Sequence, residues 1–171
     1  MAFLPFRDRA SIVMFRWSAI IAGLFVALGI HIVVTAFGLG IAFAEHGGLH
    51  EGMTSIGLLL WSGVAWIAAS FIGGYVAAWI ADCSRYLDSL FHGLVLWGLL
   101  TFVLMFLPPS TMGVGATLSG APPTANVISL VAWFVAIGGA LSLGTTIWGA
   151  IIGSRVVAEA ETKAADSYRA A

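Results

Sequence analysis

The segment from Phe71 to Gly93, FIGGYVAAWIADCSRYLDSLFHG, holds the only cysteine of the chain, Cys83, with Asp82, Arg85, Asp88 and His92 close by. A nucleophilic thiol needs a neighbouring base. None stands beside Cys83 in sequence. One cysteine also excludes an internal disulfide framework and every multi-cysteine metal motif. The charged residues have structural uses. Asp88 falls in the first turn of the following helix, where the helix dipole favours a carboxylate by roughly 0.3–1 kcal/mol. Ser84 is placed to cap that helix. Arg85, three residues from both Asp82 and Asp88, can pair with either. This island reads as a capped corner that also fixes topology.

His31 and His92 lie in long apolar stretches, where an ionisable group is costly and marks a functional-site candidate. His92 is expected about one turn into its helix, within reach of water. His31 is expected about 14 residues into the first helix, roughly 21 Å along it. A depth difference of roughly 10–15 Å on upright helices disfavours one haem between them. A neutral interhelical hydrogen bond is the favoured role for His31. His46 and His50, with Glu45 and Glu51 in AEHGGLHEGM, are a candidate set for a transition-metal ion. The two intervening glycines weaken helical pairing of these histidines, so neither metal nor another cofactor is expected.

The elements that carry these residues follow from charge. The chain has 171 residues, 60% hydrophobic and 9% charged, against about 25% charged in soluble domains. The net charge of −1 argues against nucleic acid. No Asp, Glu, Lys or Arg occurs over 17–44, 52–81 or 89–154. A crossing needs about 20 apolar residues. The last window holds two crossings, split by PPSTMGVGATLSGAPPTAN. The fold class is therefore all-α and polytopic, with helices at about 15–44, 54–81, 87–107 and 126–154. These make a four-helix transmembrane domain over 1–158, followed by a polar cytoplasmic tail over 159–171. Ala42-Phe43-Ala44 has the pattern of a signal cleavage site, but the apolar stretch before it exceeds the 7–15 residues of a signal core. An uncleaved anchor is the expectation. All seven basic residues, Arg7, Arg9, Arg16, Arg85, Arg155, Lys163 and Arg169, fall on one side of a four-crossing chain. The positive-inside rule then places both termini in the cytoplasm. Trp17, Trp79 and Trp148 fall near the inner interface, and Trp61, Trp66 and Trp133 toward the outer one.

Helices in lipid associate through small residues. Such residues recur at a spacing of four, hence on one face, in three helices: Ala19, Gly23, Ala27, then His31 and Thr35; Ala65, Ala69, Gly73, Ala77 and Ala81; and Ala132, Ala136, Ala140 and Gly144. Each row is expected to face protein. The second runs the length of its helix and is the expected interface with a partner or second copy. The second and fourth helices both open on Ala-Trp, carry Gly-Gly and close on Ser-Arg, a pattern that hints at a duplicated hairpin.

The segments RWSAIIAGLFVAL and GGYVAAWIAD…RYLDSLFHGLVLWGLL resemble a group of uncharacterised four-helix bacterial inner-membrane proteins. In that group a Gly-Gly helix leads through a short basic turn into a helix opening on a His-Gly pair, here His92-Gly93. The resemblance spans about residues 16–107 and implies a bacterial inner-membrane location. It implies no reaction.

Paired carboxylates, Ser-His or Asp-Asp arrangements and HExxH are missing from the sequence, so an enzyme is not expected. The favoured function is an accessory or structural subunit that contacts other membrane subunits or itself within the bilayer. The alternatives are an oligomeric small transporter or channel using His31 with Thr35 or with Thr145 and Thr146, and a haem- or quinone-binding membrane anchor.

Overall fold

The computed structural model describes residues 16–46, 53–83, 85–106 and 125–170. Four helices account for nearly all of them: α1 (Trp17–His46), α2 (Met53–Ile80), α3 (Tyr86–Phe106) and α4 (Ala125–Ala170). No strand occurs among the described residues. All four helices are long and apolar enough to cross a membrane. α4 has 46 residues, roughly 69 Å at 1.5 Å per residue, more than twice the ~30 Å hydrocarbon core. The polar tail continues this helix without a break. Every side chain from Glu159 to Arg169 is exposed. Its i,i+3 pair, Arg169–Asp166 at 3.8 Å, lies open to water and contributes little.

The break between α2 and α3 has a local cause. Asp82 adopts φ 56°, the left-handed conformation that ends many helices. The Asp82 N–H donates to the Trp79 carbonyl and the Cys83 N–H to the Ala78 carbonyl, each at 3.2 Å. This is a Schellman closure with aspartate where glycine is usual. Arg85 makes no ion pair with Asp82 or Asp88 among the described residues, contrary to expectation. It is exposed, while Asp88 is half-buried. Ser84 lies outside the described residues.

α2 is the central helix. It packs against α1, α3 and α4, α3 bridges α1 and α4, and those two scarcely touch. Gly73 and Gly74 explain how one helix serves two close neighbours. Consecutive helical residues point about 100° apart. A Cβ at Gly73 would meet the Ala27 Cβ at 2.8 Å and the Gly23 carbonyl at 2.9 Å, both on α1. A Cβ at Gly74 would strike the backbone of Thr146 on α4. α4 answers with Gly149, seated on the Phe71 carbonyl, and Gly153, on that of Tyr75. The Thr145 hydroxyl donates to the Ile67 carbonyl at 3.4 Å. The Thr145–Ile67, Gly149–Phe71 and Gly153–Tyr75 contacts share an offset of 78 residues, so the two helices run parallel.

The rows at a spacing of four are placed differently in different helices. Gly23 and Ala27 on α1, and Ala69, Gly73 and Ala77 on α2, are buried. The α4 row is not. Ala132, Ala136, Ala140 and Gly144 are all exposed, and a Cβ at Gly144 would meet nothing within 4 Å. α4 instead turns Ser142, Thr146, Gly149, Ala150, Gly153 and Val157 inward. The expected α2 interface with a partner is corrected likewise, because the α2 row from Ala65 to Ala81 is consumed inside the bundle. The two Gly-Gly pairs also differ. Gly73-Gly74 is clamped between helices, whereas a Cβ on Gly138 or Gly139 would meet open space. They do not occupy equivalent places in a repeat.

Leucine at Gly74 should therefore destabilise the folded chain by at least about 1–3 kcal/mol, and leucine at Gly144 should leave its melting temperature unchanged. Thermal unfolding of both variants in a mild detergent checks this. Equal behaviour would refute the assignment of faces.

Candidate functional site

Two clusters of polar side chains lie inside the bundle, one at the start of α1 and one at its middle. The first is the corner. His92, on α3, is fully buried, not reached by water as its position near a helix end suggests. Its Nδ1–H donates to the Asp88 carbonyl one turn back, at 2.7 Å. That fixes the tautomer and leaves the Nε2 lone pair to accept from the Arg16 N–H at 3.2 Å. The first N–H groups of a helix lack partners within it. His92 satisfies one such donor at the start of α1, from 76 residues away. Its neighbour Gly93 permits α3 to lie close to α4, since a Cβ there would stand 3.2 Å from the Ala150 Cβ.

Cys83 lies in the same corner. The fold supplies the base that its sequence neighbours lack, since its Sγ is 3.7 Å from His92 Nδ1. The pair nevertheless lacks the character of an activated nucleophile. The imidazole proton on Nδ1 is committed to a carbonyl. The thiol is packed on Ala19 and Ala81. Burial first, then the Asp88 and Asp82 carboxylates, push it up to about 11 against the partial opposition of Arg16. A reactive cysteine has its pKa lowered instead.

The second cluster surrounds His31. The side chain is 2% exposed and presents its ring edge-on to Trp66, with centroids 5.4 Å apart and planes at 90°. Thr35, one turn further along α1, is also buried. His31 borders a partly open cavity of about 150 Å³ that all four helices line: His31 from α1, Ser62, Gly63 and Trp66 from α2, Thr101 and Leu104 from α3, and Phe134, Val135, Gly138 and Gly139 from α4. Gly63 lets the Phe134 ring close against α2. Below the cavity, Trp97 Nε1–H donates to Ser142 Oγ at 3.0 Å and to the Gly139 carbonyl at 3.2 Å, tying α3 to α4.

One haem cannot be held by His31 and His92. His92 touches the backbone of Arg16, and His31 lies 15 residues further along α1, about 22 Å at the helical rise. The separation exceeds the 10–15 Å anticipated because His92 sits at the very start of α1. Among the described residues no group of three metal-ligating side chains forms. The backbone of His46 ends α1. Its side chain and that of Glu45, and residues His50 and Glu51, lie outside what is described, as does the loop over 108–124.

Gly74, Gly149, Gly153, Ser142 and Thr146 are the packing residues that the rows at a spacing of four pass over. A signal for two of them is present in GAIIG, a pair of glycines one turn apart of the kind that lets transmembrane helices touch. Comparison with protein-family models, curated proteins and solved structures finds no match. The resemblance to four-helix inner-membrane proteins rests on the quoted residues alone.

Two outcomes follow from the corner. His92→Leu removes the acceptor for the Arg16 N–H and should lower stability by about 1–3 kcal/mol, measured by thermal unfolding; unchanged stability would remove the capping role. Cys83 should resist a maleimide in opened membranes at neutral pH and react on unfolding. Because folding raises its pKa from 9.0 to about 11, the contribution to stability is full below pH 9 and is lost as pH rises through 11. The fall in melting temperature over that window should be shallower in Cys83→Ala.

Proposed function

We propose that this chain is a multi-pass protein of a bacterial inner membrane, with both termini cytoplasmic, which acts as an accessory or scaffold subunit through α4. The observation that carries the reading is the outer half of α4. Ala132, Ala136, Ala140 and Gly144 form an exposed row of small residues, beside the exposed bulky side chains Trp133, Ile137, Leu141 and Trp148. Rows of this kind let a second helix approach closely in lipid, and among the described residues no other helix covers this one. The described basic residues Arg16, Arg85, Arg155, Lys163 and Arg169 gather at the end of the bundle that carries the α2–α3 corner, which supports a cytoplasmic assignment for that end.

A non-catalytic role agrees with the use the fold makes of its reactive groups. His92 caps a helix and Cys83 is a buried thiol. In the transport alternative, which also draws on His31 and Thr35, Thr145 and Thr146 would have to leave bonds they make within the bundle. Their hydroxyls donate to the carbonyls of Ile67 and Ser142.

Leucine at both Ala136 and Ala140 should leave insertion and melting temperature intact, since leucine is favourable in lipid. It should shift the protein to a smaller species when its mass is measured in mild detergent after extraction from native membranes. A wild type that is already monomeric and partnerless, or a double variant that keeps the wild-type mass, would defeat the reading.

A further inference from the structure

We propose that the cavity beside His31 binds a neutral, lipid-soluble ring molecule that carries a carbonyl, of the size and kind of a quinone headgroup. The volume of about 150 Å³ matches an apolar space that admits a single six-membered ring. The walls are shaped for a flat guest. Trp66 and Phe134 supply aromatic surface, and Gly138 and Gly139 supply a stretch of α4 without side chains, where an added Cβ would meet nothing within 4 Å. Both glycines line the cavity, so the room at their open faces is part of it.

The polar groups select the guest. Thr101 Oγ1 lines this cavity and is buried with no hydrogen-bond partner among the described residues. A threonine hydroxyl both donates and accepts, so a carbonyl oxygen reaching it relieves the cost of an unpaired buried hydroxyl. His31 lines the same cavity. A lipid acyl chain would fill the volume but leave the Thr101 hydroxyl unmatched. Water fits no better: the space would hold several molecules, each needing two to four polar partners, and most of the lining is carbon. A ring with a carbonyl at its edge meets both demands. The cavity is partly open, and Val135 on its rim is exposed, which gives a molecule dissolved in the bilayer a way in.

The test uses the full chain in phosphatidylcholine nanodiscs, titrated with duroquinone and followed by quenching of tryptophan fluorescence, with durene, the same methylated ring without carbonyls, as competitor. Gly138→Leu fills the cavity from a position where an added Cβ meets no atom within 4 Å, and Thr101→Val removes the hydroxyl at constant shape. The expected results are saturable quenching in the wild type, affinity at least about tenfold weaker in Gly138→Leu and about three- to tenfold weaker in Thr101→Val, with durene competing at least tenfold less well than duroquinone itself. Unsaturable quenching of the wild type, Thr101→Val binding as the wild type does, or durene competing as well as the quinone would each overturn the proposal.

Discussion

The structure depends on α2 touching two other backbones at one level. In lipid there is little hydrophobic drive to bring helices together, so association must come from close van der Waals contact. Gly73 and Gly74 provide that contact on two faces, toward Gly23 and Ala27 of α1 and toward Thr146 of α4. Everything else is arranged around this junction. α3, joined to α2 by a tight corner, can then bridge α1 and α4. Ile20, Ala77 and Leu96 make one buried cluster, and Ala27, Ala69 and Leu100 the next. Polar side chains add single interhelical bonds, such as Trp61 Nε1–H to the Val34 carbonyl at 2.8 Å, each worth about 0.6 kcal/mol on average in a membrane.

The corner shows how a buried polar group can be wholly structural. His92 is fully buried in a region with charged neighbours, and its spacing from Cys83 resembles that of a catalytic pair. Each ring nitrogen instead meets a backbone group. The bond to Arg16 docks the start of α1 onto α3, and the Schellman closure at Asp82 brings Cys83 under the same roof. The polar island that interrupts the apolar sequence is a joint for three helices.

Sequence carried the number of helices and all but the last of their ends to within a few residues, because charge-free windows and the thickness of the bilayer leave few options; α4, expected to stop near 154, runs on to Ala170 because the polar tail continues as helix. It also carried the small-residue rows, but not what they face. Ala65 to Ala81 and Ala132 to Gly144 look the same in sequence, yet one lies inside the bundle and the other outside. Lipid and protein interior are equally apolar, so hydropathy does not separate the two faces of a membrane helix. The nearness of His92 to Arg16 was illegible for another reason. It depends on how far α1 descends along α3, which is set by the glycine contacts and by no local signal. The His31 cavity depends likewise on four helices at once, and the Gly138-Gly139 pair that lines it was read only as part of a repeat.

The pairing of α2 with α4 is the claim on which this account turns, and oxidative cross-linking tests it directly. The rings of Phe71 and Trp148 touch edge to face, 6.0 Å between centroids. Cysteines placed at 71 and 148 should form an intramolecular disulfide on treatment with copper phenanthroline, seen as a reducible gain in gel mobility, while cysteines at 71 and 133 should not, because 133 lies about 22 Å from 148 along α4. Failure of the first pair to cross-link, or equal yields from both, would contradict the parallel α2–α4 contact and the fold built on it.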